Sequence, residues 1–249
     1  MSTPNDPYLQ TPSQSVDSPG HGASGYPAAP PAPPLPGQAP PPGGFAQPGW
    51  AASPPTGLAM ATIVTTGLYL LVQLITAATA QSSVEAAKDS LVSGDTTIDV
   101  ASTVLQALGG VIGLASFIML ALWMSRIRSN LAKRGVKAGG PPHVEWWGWF
   151  VPLANFVLPF LGMKAIAHRK VGMGVLLGWW LPWCLVWIMS IAASMTSFFA
   201  VDFATGEIDN ADALDASVPL TYVAAAAIIV SWIFLTVIVR RVTARHLED

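Results

Sequence analysis

Residues 144–170 read VEWWGWFVPLANFVLPFLGMKAIAHRK. Whether this stretch crosses a membrane decides how the rest of the chain is threaded. Its apolar part, about 146–163, would just reach across a hydrocarbon core roughly 30 Å thick as a straight helix at about 1.5 Å per residue. Length alone does not exclude a span, but the residues argue for a break. Pro152 has no N–H for the carbonyl of Gly148, and Pro159 has none for that of Asn155. Two helical hydrogen bonds are therefore missing close together. Backbone groups freed at membrane depth need partners, and the Asn155 amide is the nearby side chain able both to donate and to accept. Trp146, Trp147 and Trp149 suit the headgroup layer, where an apolar ring keeps its N–H wet.

Outward from this stretch, the chain is 52% hydrophobic and 10% charged, against roughly 25% charged in a soluble domain. Four other stretches are long and apolar enough for spanning helices, at about 57–80, 100–124, 171–200 and 218–239. Ala78-Thr79-Ala80 resembles a signal-peptide cleavage site, yet the leader before it lacks a basic region, so the first run is expected to be an uncleaved span.

Charge placement separates a four-span from a five-span threading, because cytoplasmic loops accumulate Lys and Arg. With four spans and both termini cytoplasmic, 11 of the 12 basic residues fall inside, and only Lys88 lies outside. Nine of the 14 acids then fall outside, from Glu85 to Asp99 and from Asp202 to Asp215. If 146–163 also crossed, five of the 12 basic residues would remain inside. The four-span threading is preferred, and 146–163 becomes a broken helix that enters and leaves on the cytoplasmic side, either re-entrant or interfacial. The two helix pairs each enclose an acidic loop and end in a basic tail, a pattern that charge topology produces with or without an internal repeat.

Residues 1–55 hold 16 of the 22 prolines and no Lys or Arg. Such a segment buries too little apolar surface to offset its ordering entropy, so a disordered cytoplasmic tail of polyproline II character is expected. Pro31-Ala32-Pro33-Pro34 in the tail offers a P-x-x-P element to a protein partner or serves as a plain tether. A net charge of −2 gives no reason to expect nucleic acid.

Chemistry-bearing patterns are sparse. The predicted spans carry no ionisable group near their centres, and their polar interior residues, Gln73 and Gln106 among them, are expected to hydrogen-bond between helices. There is no H-E-x-x-H, no G-x-S-x-G and no phosphate-binding loop, and Cys184 stands alone. His143 and His168 flank the broken helix without the Cys or carboxylate partners a zinc site needs. No enzyme, metal or cofactor is expected. Gly109-x-x-x-Gly113 and Gly174-x-x-x-Gly178 permit close helix approach, expected within the chain rather than between copies. Trp180, Trp183 and Trp187 recur at helical spacing, with Trp179 adjacent and Pro182 between. These rings either pack around a proline bend, which is the expectation, or wall a cavity for a hydrophobic ligand.

The pattern Trp123-x-x-Arg126-x-Arg128-x-Asn130, followed by Trp149-Phe150-x-Pro152-x-x-Asn155-x-x-x-Pro159, resembles an uncharacterised family of actinobacterial multi-pass membrane proteins, domain of unknown function 4328. The resemblance covers roughly 57–245 and implies a membrane-embedded helical domain, with no known activity. It also implies an acidic residue and a tryptophan after the second proline, where this chain has Lys164-Ala165-Ile166-Ala167-His168.

The expected fold is thus an all-α membrane protein of four transmembrane helices plus one broken element, spanning 56–249 in the cell membrane. The expected function is a non-enzymatic interaction protein that contacts anionic lipid through Arg126, Arg128, Lys133, Arg134, Lys164, Arg169 and Lys170, with Lys137 on the same rim. Each such cation is worth about 1 kcal/mol near an anionic surface. The alternative is a small transporter or channel subunit using the Pro152-Asn155-Pro159 element.

Overall fold

The computed structural model describes residues 53–93, 100–149, 151, 154–167, 169–200 and 210–245. These form seven helices: α1 (Thr56–Ala78), α2 (Ala80–Ser93), α3 (Val100–Lys133), α4 (Val144–Trp147), α5 (Leu158–Ala167), α6 (Met173–Ala200) and α7 (Ala211–Arg245), with one 3-10 turn at Ala154–Phe156. Among the described residues there is no strand. Four of the helices, α1, α3, α6 and α7, are long and apolar enough to cross a membrane. The tail up to residue 52, Pro152 and His168, and the acids Asp95, Asp99, Asp202, Glu207 and Asp209 lie outside the described residues.

The bundle is built inside-out. On α1, Met60, Val64, Leu68, Leu71 and Ile75 form an exposed apolar stripe at spacings of three and four, the face that a hydrocarbon solvent would cover. The hydroxyls of Thr62, Thr65 and Thr66 donate to carbonyls one turn back, at 2.8, 2.8 and 2.7 Å. A hydroxyl with no water nearby needs such a partner.

Neighbouring helices run antiparallel, and small residues set their approach. A Cβ at Gly113 would lie 3.2 Å from the Tyr69 ring, and one at Gly109 would lie 3.4 Å from Val72, which closes α3 on α1. A Cβ at Gly178 would fall 2.8 Å from the Phe234 ring, so α6 and α7 meet at a point where only hydrogen fits. Gly174 faces open space. Three of the four motif glycines therefore pack within the chain.

Helices continue where hydropathy stops. α3 runs past the expected end at 124 to Lys133 because Ile127 and Leu131 remain buried after the apolar run ends. α7 begins at Ala211 rather than 218, burying Leu214 and Val218. The loop expected after α1 is instead helical as α2 (Ala80–Ser93), and Lys88 of α2 pairs with Asp215 of α7 at 2.5 Å. Only Thr79 interrupts α1 and α2.

The core sits at the end of the bundle that carries the basic residues. Trp123, Met124 and Ile127 of α3 pack there with Met163 and Ile166 of α5, Trp179 of α6 and Ile238 of α7. The Trp123 indole N–H donates to the Thr243 hydroxyl at 2.9 Å, joining α3 to α7.

The stretch that opened the question forms a hairpin. One limb holds α4 and the other α5. At its tip Trp149 packs edge-on against Phe117, Trp180 and Trp183, with ring centroids 5.8, 6.5 and 6.1 Å apart. Trp183 is ten residues into α6, so the tip lies about 15 Å along that helix at 1.5 Å per residue. Both limbs return to one end, where Lys137 before the hairpin, Lys164 on its second limb and Lys170 after it border a common pocket.

Candidate functional site

Hairpin and basic rim are one construction. Gly148 and Gly162 let the limbs close, since a Cβ at Gly148 would lie 3.0 Å from Leu158 Cβ, and one at Gly162 would lie 3.0 Å from Val144 Cγ1. Behind Val144 is Glu145, 2% exposed. Its Oε2 lies 3.3 Å from Arg128 Nε. Ser125 donates its hydroxyl to Oε1 at 3.2 Å and accepts the Trp146 indole N–H at 2.9 Å. A buried carboxylate is tolerated only when paired, so the cluster ties the entering limb to α3. Glu145 has no place in the sequence reading. A lone carboxylate beside a tryptophan run carries no signal until Arg128 is placed next to it.

The helical period divides the residues from Trp123 to Asn130. Trp123, Ile127 and Asn130 are buried on the face toward α7 and the segment before α1, with Asn130 donating from Nδ2 to the Ser53 carbonyl at 3.3 Å. Arg128 turns toward the hairpin and Arg126 is exposed. Of the other rim cations, Lys133, Arg134, Lys137, Lys164 and Arg169 are exposed, while Lys170 is 7% exposed.

Three of these cations share a wall. Lys137 from the α3–α4 connection, Lys164 from α5 and Lys170 from the α5–α6 turn line a pocket of about 420 Å³, floored by Leu131, Val136 and Ile166. Among the described residues no carboxylate lines it. The turn that delivers Lys170 places Arg169 at φ 55°, with the Lys170 N–H donating to the Ala167 carbonyl at 2.9 Å.

Residues 83–244 match the family described as Domain of unknown function (DUF4328). The chain belongs to this family. No curated protein and no solved structure matches it. The DUF4328 match starts within α2, so α1 precedes it, and the region is shorter at its start than the expected 57–245.

Within the DUF4328 region the break in the hairpin falls before Pro159. That residue is buried in the first turn of α5, where the missing N–H costs no helical bond. The backbone carbonyl of Phe156 accepts the Trp180 indole N–H at 3.2 Å. Asn155, expected to supply this kind of rescue, has a side-chain oxygen with no hydrogen-bond partner although the residue is 8% exposed. The amide oxygen is left on the wall of the bundle cavity. The three DUF4328 hairpin tryptophans also part company. Trp147 is 41% exposed and donates to the Pro142 carbonyl at 3.0 Å, whereas Trp146 and Trp149 turn inward onto Phe117.

Proposed function

We propose that this chain is a non-enzymatic multi-pass protein of the cell membrane, both termini cytoplasmic, that holds anionic lipid headgroups at its basic end. The observation carrying this reading is the convergence of Lys137, Lys164 and Lys170, from three separate segments, on one pocket with no acidic residue among its described lining residues. A headgroup phosphate set among them would be attracted by each ammonium charge. Arg126, Lys133, Arg134 and Arg169 are also exposed and would add about 1 kcal/mol each at an anionic surface. The buried Arg128–Glu145 pair holds the limb in place. A protein partner on the proline-rich tail is part of the same proposal and rests on residues 1–55 of the sequence.

The test uses the full chain in nanodiscs of phosphatidylglycerol or phosphatidylcholine, with retained lipid counted by native mass spectrometry. Phosphatidylglycerol should be retained preferentially, and joint substitution Lys137→Gln, Lys164→Gln and Lys170→Gln should remove that preference. Equal retention by the triple variant overturns the reading.

A second reading, a transporter or channel subunit using Pro152, Asn155 and Pro159, has the support that Asn155 borders an internal cavity. Solute flux into proteoliposomes that Asn155→Leu abolishes would favour it over a binding role.

A further inference from the structure

At the centre of the bundle, between the hairpin tip and α1, α3, α6 and α7, lies a cavity of about 270 Å³. Phe117, Trp149, Trp179, Trp183, Trp187 and Trp232 are the large aromatic part of its wall. On α6 the stripe is Trp179, Trp183 and Trp187, spaced by four, while Trp180 turns to the hairpin. The cavity has room for several waters, and each water needs two to four polar partners. A wall this apolar supplies few.

The polar groups it does supply are specific. Asn155 Oδ1, Trp149 Nε1 and Trp183 Nε1 are buried without a hydrogen-bond partner, and all three residues line the cavity. The Trp149 and Trp183 ring centroids are 6.1 Å apart, and Asn155 lines the same cavity. Unsatisfied buried groups are uncommon enough to call for an explanation. Here one acceptor and two donors sit in one apolar chamber.

We propose that the cavity is a binding site for a neutral membrane-soluble alcohol. A hydroxyl group has one donor and two acceptor positions, which matches Asn155 Oδ1 and the two indole N–H groups one for one. Its apolar body fills the aromatic chamber. Among the described residues no Asp, Glu, Lys, Arg or His lines the cavity, so an ionised head would enter without a counter-charge from them. An ammonium would meet aromatic faces, but also two indole donors to which it offers no acceptor. The site is separate from the lysine pocket and does not depend on it.

The experiment follows tryptophan fluorescence of the full chain in nanodiscs on addition of a terminally brominated long-chain alcohol, with the matched bromoalkane as control. The alcohol should quench saturably with a midpoint about tenfold or more below the alkane, as expected when buried polar groups reject an analogue that leaves them unpaired. Asn155→Leu should leave the protein folded and no less heat-resistant, because it removes an unsatisfied group, yet abolish the preference for the alcohol. Ser116→Leu, which fills the chamber from α3, should abolish saturable quenching. Displacement by an unbrominated straight-chain alcohol or by an isoprenoid alcohol distinguishes the two natural sources. Equal quenching by alkane and alcohol, a preference surviving in Asn155→Leu, or displacement by neither alcohol overturns the proposal. No saturable quenching at all means the cavity holds water only, which overturns it too.

Discussion

Arg128 Nε lies 3.3 Å from Glu145 Oε2, and this ion pair fastens the entering limb of the hairpin to α3. The carboxylate is 2% exposed and the guanidinium side chain 17%. Glu145→Gln strands the cation in a mostly dry site. We expect a loss of roughly 2–3 kcal/mol, somewhat below the cost of breaking a fully buried pair. Thermal unfolding in detergent checks it, and the Arg128→Met, Glu145→Met double variant should recover much of the loss.

Trp123 and Thr243 share the hydrogen bond between α3 and α7. Trp123→Phe removes the donor and leaves space in the core, for an expected destabilisation of about 1–3 kcal/mol. Thr243→Val should lower stability by less. If the bond is what links them, the two effects measured together in a thermal cycle will fall short of their sum.

Gly178 meets the Phe234 ring where a methyl group has no room. Gly178→Ala should therefore destabilise by about 1–3 kcal/mol, through forced separation of α6 and α7. Phe234→Leu in the same chain should restore most of the loss in unfolding experiments, whereas a defect in helix propensity would remain, and Ala is in any case the better helix former.

A hairpin that returns to its own side makes a topological prediction. Single cysteines at Lys137 and Lys164, both exposed, in a Cys184→Ala background, should react with a membrane-impermeant thiol reagent from the same face. Cysteines at Ser93 and Asp212, also exposed, should react from the opposite face. Labelling of Lys164→Cys together with Ser93→Cys would show that the hairpin crosses. Ala167 is 1% exposed and would make a poor probe.

The four long helices were legible from the chain itself. Hydrophobic length is a local property, so it survives in one dimension. The glycine motif of α3 was legible for the same reason, since its spacing is that of a helix face. Helix limits were less so. α2 and the ends of α3 and α7 are polar segments held by tertiary partners such as Asp215 for Lys88, which composition does not reveal.

What the tertiary structure alone decided was which polar groups find partners. Arg128 reads like any other rim cation until Glu145 is brought beside it by the hairpin. Asn155 reads as a rescuer of broken backbone, yet its side-chain oxygen stands unpartnered on a cavity wall while the Trp180 indole bonds the Phe156 carbonyl. Of the α6 tryptophans, Trp179 rather than Trp180 joins Trp183 and Trp187 on that wall. Hydrogen bonds and ion pairs act over a few ångströms, so residues far apart along the chain acquire these roles only once the packed helices fix their separations.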